Sequence, residues 1–419
     1  MPPRVLFWYI TLFAPLILGP QFSTAPGTSA QSARNGATLT SAPVQTLARG
    51  ATYEHQLRTS PDGQSWSIHV VRVSRRERGL EIRAVTAAPG EAGMQRELPT
   101  KIATRSSSTS RSVIAVVNGD YDLPAPFLGV SDGLSVSSGA ISTTGKPAWP
   151  AFAILTNGQP IIAVPAVSIE MRSGKRRWLV MALNKPFGTA HGAGARIFTR
   201  DFRSVVKPGE PFRAAVISAL PHSLPLRLGN SVRGVVTAIL EGTGELNIPA
   251  GALVYAEPAS PETPFVPLLR KGDKISLKIT ARISGHTKVR EAIGGFPVLV
   301  RDGRPLIEGE ASEYLRRRHP RTAVCYNKEY VLFTVVDGRQ PRLSVGMTLE
   351  ELAELMASLG CEAAMNTDGG GSSVMAIAEP ATTTTTAHDG PGGELKIVNS
   401  PSDGRERGRG NAWVILKKK

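Results

Sequence analysis

Cysteine is scarce: Cys325 and Cys361 are the only two in 419 residues. Two thiols build no disulfide framework, and they lack the spacing of metal ligands. Whether they pair or are simply small buried apolar residues stays open. The seven histidines are scattered, which argues against a zinc site. No Gly-x-Ser-x-Gly, His-Glu-x-x-His or P-loop occurs, so the common hydrolase, zincin and nucleotide signatures are missing. His191-Gly-Ala-Gly-Ala has no third glycine and no strand–helix setting, so it is no dinucleotide fingerprint.

Acidic residues are also short, with 34 Asp and Glu against 49 Lys and Arg, a formal charge of +15. Aromatics are only 6%. None is interleaved with the basic clusters at residues 75–78, 175–177, 316–319 and 417–419, which sets nucleic acid aside as a partner. An exported basic protein instead meets phosphorylated or otherwise anionic glycans. Long apolar runs are absent after residue 18. Residues 5–18 form a run of about 14, short of the roughly 20 needed for a span. With Arg4 before it, and Thr28 and Ala30 at the −3 and −1 positions, it reads as part of a secretory signal peptide over residues 1–30. The alternative is a retained anchor. The expectation is a secreted, periplasmic or cell-envelope protein with no stable membrane insertion after cleavage.

What is present is globular: 41% apolar and 20% charged residues, punctuated by 42 Gly and 32 Pro. Residues 31–65, rich in Ser, Thr, Ala and Gln in their first half, read as a linker. The folded part is expected over residues 66–419, with 166–285 as a possible subdomain. Residues 80–85 alternate apolar and polar side chains as a half-buried strand does. Residues 113–117 are continuously apolar, the mark of a strand covered on both faces. Short strand candidates with Pro and Gly breaks fill the middle. One helix is well specified. Thr348 and Glu351 form a capping box, Leu349, Leu352, Ala353, Met356 and Leu359 share one face, and Gly360 ends it. The fold class is therefore α+β, dominated by mixed, mostly antiparallel sheets with few helices. Residues 382–386, five threonines, and 388–393 read as a loop.

Chemistry concentrates at strand ends. Asp368-Gly369-Gly370-Gly371-Ser372-Ser373 follows a short buried strand. Three glycines in a row suit positive φ or a close approach to a ligand, and their amides form a candidate anion nest. Ser372 adds a hydroxyl, and Asp368 is a base, nucleophile or metal ligand. Asn118-Gly119-Asp120-Tyr121 ends the apolar strand. His319-Pro320-Arg321 precedes another, where Arg321 suits a phosphate or carboxylate. Asp337, in Asp-Gly-Arg339, reads as structural. A tight hairpin is the plain alternative for the glycine run.

In this order, these stretches resemble the phosphodiester glycosidase family. The resemblance rests on residues 116–121, 292–295, 319–324, 336–339, 346–349 with its helix, Asn366 with 368–373, and 398–407. Cys325 stands where the family usually has glycine, and Thr367 where an apolar residue is usual. The resemblance implies an exported hydrolase that cleaves the glycosidic bond of a sugar–phosphate phosphodiester; no cofactor is expected, with a divalent metal as the alternative. A phosphate-ester leaving group needs cations and N–H donors more than a proton. Catalysis would fall to Asp368, Asp120 and Arg321. Asn118, Asn366, Gly369, Gly370, Gly371, Ser372 and Arg407 would bind substrate. Two alternatives stand beside it: a phosphodiesterase cutting the P–O bond with a divalent metal on Asp120 and Asp368, and a non-catalytic glycan-binding envelope protein.

Overall fold

The computed structural model describes residues 38–188, 194–208, 210–259, 269–379 and 394–419. The signal segment, the five-threonine loop and His191 lie outside the described residues. The fold is β-dominated α+β, as expected. Its strands form mostly antiparallel sheets, with three short α-helices among the described residues. Among the described strands the one parallel pair is Ala182–Leu183 with Arg196–Thr199.

Two sheets and two helices make four layers around the site. A nine-stranded sheet runs Thr38–Ser41, Ala51–Thr59, Ser65–Ser74, Tyr330–Val336, Arg321–Tyr326, Ala363–Asn366, Val298–Arg301, Arg304–Glu308, with Gln45–Ala48 beside Ala51–Thr59. A five-stranded sheet runs Leu395–Ile397, Met375–Ala378, Arg111–Asn118, Asn411–Lys418, Leu80–Thr86. The two meet face to face through Val71, Phe333 and Met365 on one side and Val117, Trp413 and Ile415 on the other. Helix Leu349–Ser358 covers the outer face of the larger sheet through Leu349, Leu352 and Met356. Helix Pro99–Thr104 covers the outer face of the smaller one through Ile102 and Ala103. The uninterrupted apolar run 113–117 follows from this: Ala115 and Val117 face the opposing sheet while Val113 and Val116 face the helix.

The helix forms as read. Thr348 Oγ1 accepts from Glu351 N at 3.2 Å, and Glu351 Oε2 accepts from Thr348 N at 3.0 Å. Cys325 and Cys361 pair, with Cα atoms 5.8 Å apart, tying strand Arg321–Tyr326 to the end of this helix. The expected linker needs correction. Residues 38–41, 45–48 and 51–59 are strands, the last in nine-residue register with Ser65–Ser74. Thr38–Ser41 is exposed along its whole length. An edge strand is held by its backbone pairing, so its side chains need not show apolar alternation.

Residues 165–283 supply an eight-stranded sheet of their own. Its core is continuous with a second five-stranded sheet, since Ile169, Leu277 and Ile279 pack in one cluster with Val136, Ala153 and Ala292. Within that second sheet Glu291 is fully buried. Its Oε2 accepts from Ala84 N at 3.2 Å and Ser138 N at 3.0 Å. Burial pushes its carboxyl from 4.5 up to about 7 despite those amides. The folded chain therefore holds a proton that the unfolded chain has lost. Stability is highest below about pH 4.5 on this account and falls as pH rises toward 7, by about 3 kcal/mol. Glu291→Gln keeps an oxygen for both amides and should remove that slope. Urea midpoints should match wild type at pH 4.5 and exceed it at pH 8; equal midpoints at pH 8 would disprove the assignment.

Candidate active site

Strand Ala363–Asn366 belongs to the larger sheet and Met375–Ala378 to the smaller five-stranded one. Residues 367–374 are thus the crossover between the two facing sheets, and they carry Asp368 and the glycine run. Fully buried Asn118 pins the crossover. Its Nδ2 donates to Asp368 O at 2.7 Å, and its Oδ1 accepts from Thr322 Oγ1 at 2.9 Å and Val374 N at 3.1 Å. Buried Asn366 donates to Tyr121 Oη at 2.8 Å and Phe296 O at 2.7 Å, which orients Tyr121. Both asparagines were expected to bind substrate; with these bonds their side chains hold the loop and Tyr121.

The glycines are needed for shape. Gly370 has φ +62° and lies under the Arg339 guanidinium, and a Cβ on Gly371 would sit 2.5 Å from both carboxylate oxygens of Asp403. Gly370 N donates to Pro320 O at 2.8 Å, so the run does not present three free amides. Among the described residues, the amides of Gly369 and Gly371 make no hydrogen bond to protein.

An open cavity of about 390 Å³ lies over this turn. Its walls carry five arginines (Arg96, Arg321, Arg339, Arg407, Arg409) against two acids, Asp122 and Asp368. The Asp368 side chain is 14% exposed, and its Oδ2 is 2.7 Å from Arg409 Nη2. Ser372 Oγ accepts from Arg409 Nη1 at 3.1 Å. Burial raises the Asp368 pKa, while Arg409 and the Ser372 hydroxyl pull against that rise. Arg409 also lies 3.3 Å from Asp122 Oδ1. Asp122 is nearly closed off, bound besides by Arg96 Nε at 2.5 Å and Gly410 N at 3.2 Å. Of the two cavity carboxylates, Asp368 is the one with room to meet a substrate.

On the opposite rim, Arg339 Nη2 donates to His319 Nδ1 at 3.1 Å and to Tyr314 Oη at 3.3 Å. His319 Nε2 donates to Tyr314 O at 2.8 Å, which leaves Nδ1 as the acceptor. Burial lowers the His319 pKa, the bond to Tyr314 O opposes this, and Arg321, Arg339 and Arg317 add to the lowering. Arg407 packs on Gly371 and is held by Asp403, with Nε to Oδ2 at 3.0 Å.

The expected residues divide. Asp368, Gly369, Gly370, Gly371, Ser372, Arg321 and Arg407 share the cavity wall. Arg321, however, is 1% exposed and spends Nε on Met347 O (2.8 Å) and Nη2 on Leu315 O (2.7 Å) and Arg317 O (2.6 Å). Burial pulls its guanidinium down to about 10. Asp120 is not on the wall. Its Oδ2 accepts from Ser131 Oγ at 2.5 Å and Gly133 N at 2.6 Å, its Oδ1 accepts from Tyr121 N at 2.8 Å, and burial raises its pKa to about 6. Asp120 and Asp368 therefore do not fit one shared metal ion. Among the described residues no three of His, Cys, Asp and Glu cluster as metal ligands. Asp337, read as structural, is buried and bonded to His69, Ser67, Asn399 and Ser400. The two departures, Cys325 and Thr367, are both buried and off the cavity wall.

Sequence reasoning missed Arg409 and Asp122, and gave no role to Tyr121, Tyr314 or Arg339. The available signal was position. Arg409 lies two residues before strand Asn411–Lys418, as Asp368 lies two after Ala363–Asn366.

Residues 230–416 match the family model for phosphodiester glycosidase (NAGPA), so the resemblance read from the motifs holds over that part of the chain. No curated protein matches the chain. Among solved structures, a hypothetical protein from Synechocystis superposes with a TM-score of 0.68 at 17% identity over 90% of this chain, which spans 64% of that protein's length. A Burkholderia pseudomallei protein named for its inferred export gives a TM-score of 0.67 at 17% identity over 94% of this chain and 100% of its own. These likenesses are of fold. The zebrafish N-acetylglucosamine-1-phosphodiester α-N-acetylglucosaminidase catalytic domain gives 0.45 at 15% identity over 91% of this chain and 88% of its own.

Proposed function

We propose that the chain is an exported hydrolase that cleaves the glycosidic bond of a sugar–phosphate phosphodiester. The observation that carries this reading is Asp368, held 2.7 Å from Arg409 in a cavity with three more arginines than acids. That excess suits an anionic substrate and the further negative charge its phosphate gains as the C–O bond breaks. Arg339 and Arg407 lie against the two halves of the Gly370–Gly371 turn and are the partly free cations; they would take the phosphate. Arg321, whose Nε and Nη2 are turned to backbone carbonyls, contributes mainly its charge to the wall. Asp368 would attack the anomeric carbon or direct water to it, and a good leaving group removes the need for a strong general acid. Export is supported by the Cys325–Cys361 disulfide, which persists in oxidising compartments. Among the described residues no helix is long and apolar enough to cross a membrane.

The test is hydrolysis of a panel of hexose-1-phosphodiesters of a chromogenic alcohol in ¹⁸O-water. Glycosidic cleavage puts the label in the free sugar and leaves the phosphate on the aglycone. Label in the phosphate would mean P–O cleavage and overturn the proposal, as would no turnover across the panel.

A further inference from the structure

Strands Arg196–Thr199, Phe212–Ala219 and Ala252–Pro258 of the eight-stranded sheet are covered on both faces, but over Pro165–Ser173, Lys274–Ile283 and Ser231–Gly242 the sheet buries one face and leaves the other to solvent. Ile275, Leu277 and Ile279 of strand Lys274–Ile283 point into the core. The alternate residues Lys274, Lys278 and Arg282 are exposed. Four residues apart, they repeat at about 13 Å along the strand. The register sets Lys274 opposite Val235 and Ser276 opposite Arg233, which is also exposed, on strand Ser231–Gly242. At one end of this face a groove of about 510 Å³ is lined by Arg227, Lys278 and Lys288 with Thr156, Thr280 and Thr287, and its lining contains no acid.

Acids on this face are few and already used. Strand Lys274–Ile283 has none. Glu170, on the neighbouring strand Pro165–Ser173, is ion-paired to Arg172 and Arg177, and Glu241, at the far end of Ser231–Gly242, to Arg213. The cations at Lys274, Lys278 and Arg282 form no ion pair with protein among the described residues. Such a row raises a positive potential along an extended surface, which suits a linear polyanion more than a compact ligand.

The side chains between the cations choose the kind of polyanion. They are hydroxyls: Ser231, Ser276, Thr280 and Thr287. No aromatic residue is exposed on these strands, since Trp178 of the neighbouring strand Arg176–Val180 is packed in the core. A single-stranded nucleic acid needs stacking surfaces that are absent here. Hydroxyls and ammonium groups match sugar hydroxyls and phosphates.

The geometry points to this sheet face and its groove as a second, non-catalytic binding surface for a polymeric phosphodiester-bearing glycan. The inference takes the polymer's chemistry from the proposed phosphodiester activity, and deepens it: the cavity would act on a chain that the sheet face retains. Neither the groove nor the row of cations shares a residue with the cavity at Asp368.

The test uses the full chain and an immobilised phosphomannan, with neutral mannan and a single-stranded DNA oligomer as comparisons. Wild type should bind phosphomannan in dilute salt and lose it as salt rises. The variant Arg233→Ser/Lys274→Ser/Lys278→Ser/Arg282→Ser should bind it at least about tenfold more weakly, with a shallower salt dependence. The same variant should hydrolyse a small sugar-1-phosphodiester at the wild-type rate, which also certifies its fold. Lys278→Glu alone should weaken binding in the same direction. Equal binding by both variants, equal binding of neutral mannan, or tighter binding of the DNA would each overturn the inference. Polymer binding through this face without any phosphodiester cleavage would leave the inference standing and remove the proposed activity. Turnover of the small substrate with no polymer retention would do the reverse.

Discussion

Asp368→Asn should reduce turnover of a sugar-1-phosphodiester by at least about 10³-fold while the protein stays folded. The substitution keeps the size of the side chain and removes its nucleophilic and basic capacity. An amide oxygen can still accept from Arg409, and Arg409 retains Asp122 at 3.3 Å, so no buried cation is left without a counter-charge. The cost of breaking a buried pair is therefore largely avoided, and the loss of stability should stay near 1–2 kcal/mol. The backbone of the crossover is tied independently, through Asn118 to Asp368 O and through Gly370 N to Pro320 O. Substrate affinity should change little or improve, because a negative charge facing a phosphodiester is removed. The measurement is kcat and KM with a urea melt alongside. A folded variant that retains more than about a tenth of wild-type kcat would take Asp368 out of the chemistry. Asp120→Asn is the matched comparison. It sits behind the wall and should act on stability with little effect on kcat.

Much of the fold was legible because its signals are local. The capping box at Thr348 and Glu351, the doubly covered strand Arg111–Asn118, and the strands Ser231–Gly242, Ala252–Pro258 and Lys274–Ile283 all announce themselves by period and punctuation. Strands 38–41, 45–48 and 51–59 did not: they pair with their own neighbours in the chain, but their side chains are mostly exposed or half-buried and carry little apolar alternation. The same division runs through the site. Asp368 and its glycines stand out because three adjacent glycines are costly without a close approach. Asp120 drew attention at a strand end, but its carboxylate turns to Ser131 and Gly133, a contact that no spacing in sequence reveals. Arg321 was assigned to substrate on its residue type; it does line the cavity, but its Nε and Nη2 are taken up by the carbonyls of residues 315, 317 and 347. The cation that does reach Asp368 comes from residue 409, at the other side of a chain crossover. Charge type is written in sequence; which partner absorbs the charge is decided by packing.

That partner yields the second large effect. Arg409 is 2% exposed and reaches four groups: Asp368 Oδ2, Asp122 Oδ1, Ser372 Oγ and Asp120 O. Its Nη2 lies between the two carboxylates while Nη1 reaches Ser372, and a single lysine ammonium is a poor substitute for that two-armed shape. Arg409→Lys should fold, since a positive charge remains between Asp122 and Asp368, but kcat/KM should fall about 10²-fold. The pH profile separates a role in setting Asp368 from a merely structural one. Burial raises the Asp368 pKa and Arg409 lowers it, so a less well-placed cation lets it rise further. Asp368 must be ionised to act, and the acid limb of kcat/KM follows its pKa. The variant should therefore lose activity on acidification at a higher pH than wild type does. Arg409→Met should do more, leaving two carboxylates without their shared cation and costing about 3–5 kcal/mol of stability. If Arg409→Lys keeps the wild-type acid limb while its rate falls, Arg409 acts on substrate binding alone. If neither rate nor limb moves, the Asp368–Arg409 pair is not the centre of the chemistry.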